Sequence, residues 1–250
     1  YKQMEADCQK ELEFASSVDE VDDARMTCIN AAYHSGDPFK AIDLTKKAIA
    51  ALPSNSRYGW HLTYQMLLVN AYRILGDIES ARVALRDVDG IMVLLQRSPA
   101  WGEWGTHWTY QAERARGEFL MTAGNPVAAE LSYIRALAAN DKRYEAFQRG
   151  EYGQSTRRVH NKEAILTGKY IGMLQLGFSL MAQRKLVQAE YQFREALKVA
   201  LEIGGVNSTR VTLGIQAISH AVSEQGRIDE ALVLAKFNLE AILKSNYPPN

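Results

Sequence analysis

The chain has 250 residues, of which 47% are hydrophobic, and equal numbers of basic and acidic side chains give it a formal net charge of zero. This length and apolar content allow a sizeable buried core, whereas general nucleic-acid binding requires clustered Lys and Arg. No apolar run approaches the roughly 20 residues that span a bilayer, so we expect neither nucleic-acid binding nor membrane insertion. Because the chain begins with Tyr1 rather than Met, we expect a processed chain or an excised fragment.

Residues 1–17 are predicted to form an N-terminal helix that ends in the segment FASSVDEVDDA, where Ser17 or Asp19 is the candidate N-cap of the next helix. Cys8 and Cys28 lie ten residues on either side of Val18. Such positions face each other in an antiparallel helical hairpin, so a disulfide between them is geometrically feasible, and two buried free thiols are the alternative. A disulfide would favour an exported or periplasmic location and free thiols a cytoplasmic one, which leaves the compartment open.

Beyond this first helix, apolar residues recur at helical spacing and strand-like alternation is absent, which predicts an all-α protein. Five segments share one pattern, in which a turn residue is followed by alanine five positions later and by a mostly small residue twelve positions after the turn. The turn residues are Gly36, Gly76, Gly124, Arg184 and Gly226; the alanines are Ala41, Ala81, Ala129, Ala189 and Ala231; the later positions are Ala48, Val88, Ala136, Ala196 and Asn238.

Each copy predicts a helical hairpin, because glycine with positive φ ends one helix and small residues let the second helix pack closely against the first. We expect hairpins at about 19–53, 57–97, 104–140, 161–204 and 207–245, with a long polar loop at 140–162. A single hairpin cannot bury its own apolar face, so stacked neighbours must complete the core. The sequence therefore predicts one solenoid domain over residues 1–250.

The repeated pattern resembles the tetratricopeptide repeat (TPR). The first copy carries Gly36, Ala41, Ala48 and Pro53, and the fourth carries Gly177, Ala189, Phe193 and Ala196 but has Arg184 at the turn. Distances between turns are 40, 48, 60 and 42 residues, longer than the TPR consensus of about 34. The lengthened helices resemble those of kinesin light chains and of bacterial regulatory or CHAT-protease-associated TPR regions. This resemblance implies a right-handed α-solenoid of about five hairpins plus an N-terminal helix.

The resemblance also implies a function, since TPR proteins commonly bind peptides, helices or partner domains on the concave surface lined by the first helix of each hairpin. We therefore expect a non-catalytic scaffold with a protein or peptide partner. The matching groove positions are Met26, Asn30, Tyr33, Met66, Asn70, Arg73, Arg114, Glu118, Phe178 and His220.

Two asparagines are the most specific of these positions. Asn30 and Asn70 match the place where peptide-binding TPR domains hold an asparagine that bonds the ligand backbone, and an amide offers both a donor and an acceptor. Met26 and Met66 stand where TPR domains that bind acidic C-terminal tails carry lysines. An apolar peptide is therefore the expected ligand, because methionine surfaces adapt to varied partners.

Two further clusters have alternative interpretations. Trp101, Trp104, Trp108 and Tyr110 would form an interaction hot spot if exposed, but packing at an irregular joint between the second and third hairpins is the favoured interpretation. The basic residues Arg157, Arg158, His160 and Lys162 would contact an acidic partner, but acidic neighbours favour a solvated loop.

No pattern indicates catalysis, because the five histidines lack metal-ligand spacing and neither a phosphate-binding loop nor a nucleophile motif is present. We expect no enzyme activity, metal or cofactor. Two alternative functions stay open. One is a sensor or regulatory region of a larger protein, for example one with a CHAT-type protease domain following Pro248 and Pro249. The other is a self-assembly module, a homodimer formed through the C-terminal hairpin, where Phe237, Leu239, Ile242 and Leu243 are expected to be exposed.

Overall fold

The computed structural model of the chain describes residues 2–53, 58–153, 156, 159–206 and 208–244. Within these ranges the backbone forms eleven α-helices and no strand, which confirms the predicted all-α class. The helices are α1 (Lys2–Phe14), α2 (Val18–His34), α3 (Pro38–Ala50), α4 (Tyr58–Ile74), α5 (Ile78–Gln96), α6 (Trp101–Thr122), α7 (Pro126–Gln148), α8 (Lys162–Ala182), α9 (Leu186–Gly204), α10 (Thr209–Glu224) and α11 (Ile228–Lys244).

The five predicted turns share one hydrogen-bonded geometry. The four glycines have φ between 74° and 80°, and Arg184 has the same left-handed conformation with a φ of 60°. After each turn residue, the next N–H donates to the carbonyl five positions earlier, as Asp37 does to Ala32 at 3.1 Å and Lys185 does to Leu180 at 3.0 Å. This Schellman arrangement satisfies carbonyls that the end of a helix leaves unpaired. The repeat register therefore holds even at Arg184, where the glycine is missing.

The small residues of the pattern lie where the two helices of each hairpin meet. All five alanines that follow the turns are buried, and so are all five residues twelve positions after the turns. Two hairpins add a second close contact, in which a glycine of the first helix lies against an aromatic ring of the second. A Cβ placed at Gly117 would lie 2.5 Å from the ring of Tyr133, and one at Gly177 would lie 2.3 Å from the ring of Phe193. Each glycine makes room for the ring that fills the core.

The sequence predicts one domain, whereas the backbone contacts group the chain into two compact units, residues 1–108 and 109–250, with α6 running across the boundary. Local grouping of this kind follows from a repeat array, in which each hairpin contacts chiefly its neighbours.

The first unit has a core built from α2, α3 and α4, with Tyr64 among its fully buried side chains. The hydroxyl of Tyr64 donates to Asp22 Oδ1 at 3.1 Å, and the same carboxylate accepts a hydrogen bond from Arg25. Helix α2 begins at the N-cap Ser17, whose side chain accepts a hydrogen bond from the Glu20 N–H. A disulfide joins Cys8 to Cys28 with a Cα–Cα distance of 5.0 Å, so α1 is covalently tied to α2.

In the second unit, α7 to α11 pack around buried apolar side chains of successive hairpins, including Phe193, Ile218 and Val222. Polar bonds also join these hairpins near their turns. Gln183 Nε2 donates to Glu130 Oε2 at 2.7 Å, and the equivalent Gln225 Nε2 donates to Glu190 Oε2 at 2.8 Å. In both bonds the glutamine directly precedes a turn residue, and the glutamate lies six positions after the turn residue of the preceding hairpin. The sequence contains that pattern, but its pairing was not predicted.

The prediction of a loop at 140–162 is wrong for residues 140–148, because α7 continues to Gln148. Residues 149–161 form the connection to α8. Asn140 and Arg143 face the protein interior from the added helical turns and bond the segment that follows. Asn140 Nδ2 donates to Ile165 O at 2.9 Å, and the Arg143 guanidinium donates to His160 Nδ1 at 3.0 Å and to Val159 O. Helix is favoured here because it points these polar side chains at acceptors that need donors. The other predicted hairpin limits lie within three residues of the helix ends.

The prediction of a solvated basic loop is also wrong for His160, which is buried at 1% exposure and stacks on Tyr152 with ring centroids 4.0 Å apart. Arg143 is buried beside it, and desolvation lowers the pKa of its guanidinium. Lys162 begins α8 and pairs with Glu202 at 2.9 Å. Arg157 and Arg158 lie outside the described residues.

Candidate functional site

The predicted groove residues lie on first helices of the hairpins, and each unit carries its own set. In the first unit, α2 and α4 present six partly exposed side chains that we call the α2–α4 surface: Met26, Asn30, Tyr33, Met66, Asn70 and Arg73. In the second unit, Arg114 and Glu118 lie on α6, Phe178 on α8 and His220 on α10.

A chain of hydrogen bonds crosses the α2–α4 surface from one helix to the next. Asn70 Nδ2 donates to the Tyr33 hydroxyl oxygen at 2.6 Å, and Arg73 donates to Asn70 Oδ1 at 2.5 Å. Both ends of the Asn70 amide therefore have a partner within the protein, and the amide plane is held in one orientation. Such a fixed amide is less available to a ligand than an unbonded one, but it holds Tyr33 and Arg73 in defined positions beside it.

Asn30 and Asn70 were predicted to be equivalent, yet their surroundings differ. Asn30 makes no side-chain hydrogen bond within the described part of the chain, and its side chain is partly exposed on α2. Its donor and its acceptor are both available to an incoming peptide group. Sequence reasoning could not separate the two asparagines, because the difference depends on Tyr33 of α2, which bonds Asn70 on α4 and not Asn30 on its own helix.

In the second unit, the predicted residues are held by separate contacts. The Arg114 guanidinium lies over the Tyr110 ring, 6.0 Å from its centroid. Glu118 Oε1 accepts a hydrogen bond from Gln175 Nε2 at 2.5 Å, which links α6 to α8. Phe178 is 44% exposed, and its ring lies 5.0 Å from that of the buried Phe193. These contacts hold each side chain in place, but they do not converge on one acceptor or donor.

His220 lines an open groove of about 590 Å³ between α10 and α11, which we call the α10–α11 groove. Polar residues of α10 form one wall of the groove, and largely apolar residues of α11 form the other. The polar wall includes Gln216, Ser219, His220 and Ser223.

The predicted aromatic cluster separates into two environments. Trp104 and Trp108 stack with centroids 6.1 Å apart, and Trp101 lies 6.1 Å from Trp108. Trp108 is buried, and a Cβ added at Gly59 of α4 would lie 3.2 Å from its ring. Tyr110 is buried elsewhere, where its hydroxyl donates to Gly168 O at 3.0 Å. Trp108 and Tyr110 are therefore packing residues, and Trp101 and Trp104 keep partial exposure.

The described ranges contain neither a candidate metal site nor a candidate membrane span. No group of three or more His, Cys, Asp and Glu side chains there could hold a metal ion. None of the helices in those ranges is long and apolar enough to cross a membrane.

Comparison with known proteins gives likeness of fold. No protein-family model matches the chain, and neither does the sequence of any curated protein. BtubC (BKLC) from P. vanneervenii is similar, with a TM-score of 0.68 and 13% identity over 100% of this chain and 94% of that chain. A putative kinesin light chain with nearly identical TPR-like repeats from Podosopora anserina has a TM-score of 0.59 and 14% identity over 90% of this chain and 96% of that chain.

The apo form of RapI is also similar, with a TM-score of 0.53 and 12% identity over 98% of this chain and 60% of that chain. At these identities the likenesses concern the fold alone. Together with the five hairpins and their repeated turns, they show that the chain has a TPR-like α-solenoid fold.

Proposed function

We propose that this protein is a non-catalytic interaction module that binds a peptide, a helix or a partner domain on the first-helix faces of its hairpins. The observation that carries the proposal is the α2–α4 surface, where the unbonded amide of Asn30 lies on the same predicted face as the fixed group of Tyr33, Asn70 and Arg73. Two adjacent helices thus present hydrogen-bonding groups whose orientation is set before a ligand arrives. Preorganisation of this kind lowers the entropy that binding must overcome.

The chemistry of this surface favours a ligand with an accessible backbone and apolar side chains. Asn30 can donate to a peptide carbonyl and accept from a peptide N–H, which recognises the chain without demanding a particular residue. Met26 and Met66 provide flexible apolar contact around these polar groups. Arg73 already donates to Asn70, so the surface has no lysine-like pair that would favour an acidic tail.

Selection from a displayed random-peptide library, followed by affinity measurement on the selected peptide, tests the proposal. Asn30 can form two hydrogen bonds with the ligand, and the loss of each should cost about 1 kcal/mol, while Asn70→Ala removes the bonds that hold Tyr33 and Arg73 in place. We therefore expect the Asn30→Ala, Asn70→Ala double variant to bind about tenfold to a hundredfold more weakly. Gln96→Ala, an exposed amide at the end of α5 in the same unit, is the matched control and should bind normally. Full affinity in a double variant with unchanged circular dichroism would remove this surface as the binding site.

Self-assembly is the second candidate function, and the exposed apolar residues of α11 favour it. Helix α11 belongs to the second unit and the α2–α4 surface to the first. The two functions are therefore independent and can occur together. A regulatory role within a larger protein stays a prediction.

A further inference from the structure

The junction between α7 and α8 contains a buried arginine without an acidic partner. Arg143 is 2% exposed, and no carboxylate pairs with it in the described part of the chain. Its guanidinium donates instead to three neutral acceptors, which are His160 Nδ1 at 3.0 Å, Asn140 Oδ1 at 3.5 Å and Val159 O. Because a buried charge is normally compensated by an opposite charge, this guanidinium depends on its neutral acceptors.

Only a neutral His160 fits this arrangement. A guanidinium carries donors and no acceptor, so the ring nitrogen that faces Arg143 must be unprotonated. The imidazole is buried and stacks on the ring of Tyr152. A neutral imidazole has one N–H, and with Nδ1 as the acceptor that proton is on Nε2. The hydrogen bond to Arg143 therefore sets both the charge and the tautomer of His160.

Protonation of His160 would break this contact. The added proton would occupy Nδ1, so a hydrogen bond would be replaced by two cations in contact inside the protein. Repulsion between like charges is stronger there than in water, because the dielectric constant is lower. Arg143 belongs to α7, whereas His160 lies 17 residues later and shortly before α8 begins at Lys162. The repulsion would therefore act between the two sides of the junction.

The other charged and titratable groups around the junction do not offset this change. Two tyrosine hydroxyls act on the charge of Arg143, that of Tyr110 from α6 and that of Tyr152 from the connection, and a tyrosine is uncharged below about pH 8. Glu163, in the first turn of α8, is exposed to solvent, which screens its charge. The remaining charged side chains that flank the junction form ion pairs: Lys162 with Glu202, Lys169 with Asp141, and Arg149 with Glu151. None of these groups offers a buried negative charge to a protonated His160.

We propose that Arg143 and His160 form a pH-sensitive switch, which holds the junction of α7 and α8 closed while the imidazole is neutral and loosens it when the imidazole takes up a proton from solvent. An imidazole released from the junction takes up a proton near pH 6.5, as an ordinary histidine does. Acid therefore favours the opened junction, and the opened fraction rises by up to tenfold for each pH unit below about 6.5. The switch lies in the second unit and does not depend on peptide binding at the α2–α4 surface.

Hydrogen exchange of the whole chain between about pH 7.5 and pH 5 tests the switch. The amides of residues 159–165 include that of His160, which donates to Thr156 O at 2.9 Å. After correction for the pH dependence of intrinsic exchange, these amides should lose protection by up to tenfold per pH unit below about 6.5. The amides of α10, in the same unit, are the internal control and should keep theirs. Protection at residues 159–165 that does not change with pH would overturn the proposal.

Replacement of His160 by asparagine distinguishes the switch from a merely structural role. The asparagine Oδ1 can accept from Arg143 in place of Nδ1, but an amide does not titrate. We expect His160→Asn to reduce protection at every pH, because the stacking on Tyr152 is lost, and to remove the pH dependence. His220→Asn, at an exposed histidine of α10, is the matched control and should keep the pH dependence of the parent protein. An equally steep pH dependence in His160→Asn would show that another group is responsible.

Nuclear magnetic resonance of the parent protein labelled with ¹⁵N-histidine tests the same proposal without a variant. At pH 7.5 the imidazole of His160 should show an unprotonated Nδ1 and a protonated Nε2. It should still be neutral at about pH 6, where an ordinary exposed imidazole is mostly protonated. A proton on Nδ1 at pH 7.5, or a charged His160 at pH 6 in a junction that keeps its full protection, would contradict the proposed switch.

Discussion

Replacement of Gly177 by alanine is the sharpest test of how the hairpins close. Gly177 lies within α8, where alanine would ordinarily favour the helix by about 1 kcal/mol. The added Cβ would lie 2.3 Å from Phe193 Cε1 and 2.7 Å from Cδ1 of the same ring. Phe193 is completely buried in the core of the second unit, so its ring cannot turn towards solvent.

The magnitude follows from the distance. Carbon atoms in contact stand about 3.5–4.0 Å apart, so the ring would have to withdraw by more than about 1 Å into side chains that already fill the core. Overpacking of this kind costs about 1–3 kcal/mol. After the gain in helix propensity of about 1 kcal/mol is subtracted, we expect Gly177→Ala to lower the free energy of unfolding by about 0–2 kcal/mol.

Urea unfolding followed by circular dichroism provides the measurement. Gly90→Ala is the matched control, because Gly90 is an exposed helical glycine of α5 at which an added Cβ meets nothing within 4 Å. That variant should gain stability, by up to about 1 kcal/mol. Combining Gly177→Ala with Phe193→Leu should cost less than the two single changes added together, since the smaller side chain relieves the clash. If Gly177→Ala is as stabilising as Gly90→Ala, the close contact between the helices does not exist as described.

Three further predictions concern other contacts. Reducing the Cys8–Cys28 disulfide should destabilise the first unit by about 2–4 kcal/mol, measured by urea unfolding with and without reductant; an unchanged midpoint would argue that the disulfide does not form. Arg143→Met should cost about 2–4 kcal/mol and speed proteolysis of the 149–161 connection, because His160 Nδ1 and Val159 O lose a buried donor, whereas the exposed Arg149→Met should change stability by less than about 0.5 kcal/mol. The hydrogen bond from Lys185 holds the pKa of Glu130 below its ordinary value. The ionised Glu130 therefore stabilises the fold above its unfolded pKa, and this contribution is lost as pH falls through its folded pKa. Glu130→Gln should make the free energy of unfolding fall less steeply with decreasing pH below roughly pH 5. The same pH dependence in the variant and the parent protein would contradict this assignment.

Most of the fold could be predicted from the sequence, because the same pattern of turn residue and alanine occurs five times. A single Gly-x-x-x-x-Ala segment is weak, but five copies in register identify the turns, and the register predicts a left-handed residue even where Arg184 replaces glycine. The predicted end of α7 was wrong. Asn140 and Arg143 are polar residues that a local pattern assigns to a loop, and only acceptors brought from residues 159–165 make their burial within a helix favourable.

The positions of the candidate binding residues could also be predicted, but their chemistry could not. Register places Asn30 and Asn70 on equivalent positions of α2 and α4, and both are partly exposed there. Whether an amide is open or already bonded depends on side chains that arrive from a neighbouring helix, as Tyr33 does at Asn70. No pattern along one helix contains that information. The same limit applies to Asn238, whose burial without a partner appears only when α10 and α11 are placed side by side.

The differences between copies are therefore more informative about function than the features they share. Positions that agree, such as the alanine five residues after each turn, satisfy a demand of hairpin packing that is the same everywhere, so they carry no information about a partner. Positions that break the pattern without a packing reason must satisfy some other demand or be neutral. Leu232 and Asn238 both line the α10–α11 groove, where Leu232 adds exposed apolar surface and Asn238 adds a buried acceptor. The residue six positions after the turn varies among the copies, from Ile42 and Arg82 to Glu130, Glu190 and Leu232, so of these two positions only that of Asn238 is otherwise uniformly small and apolar.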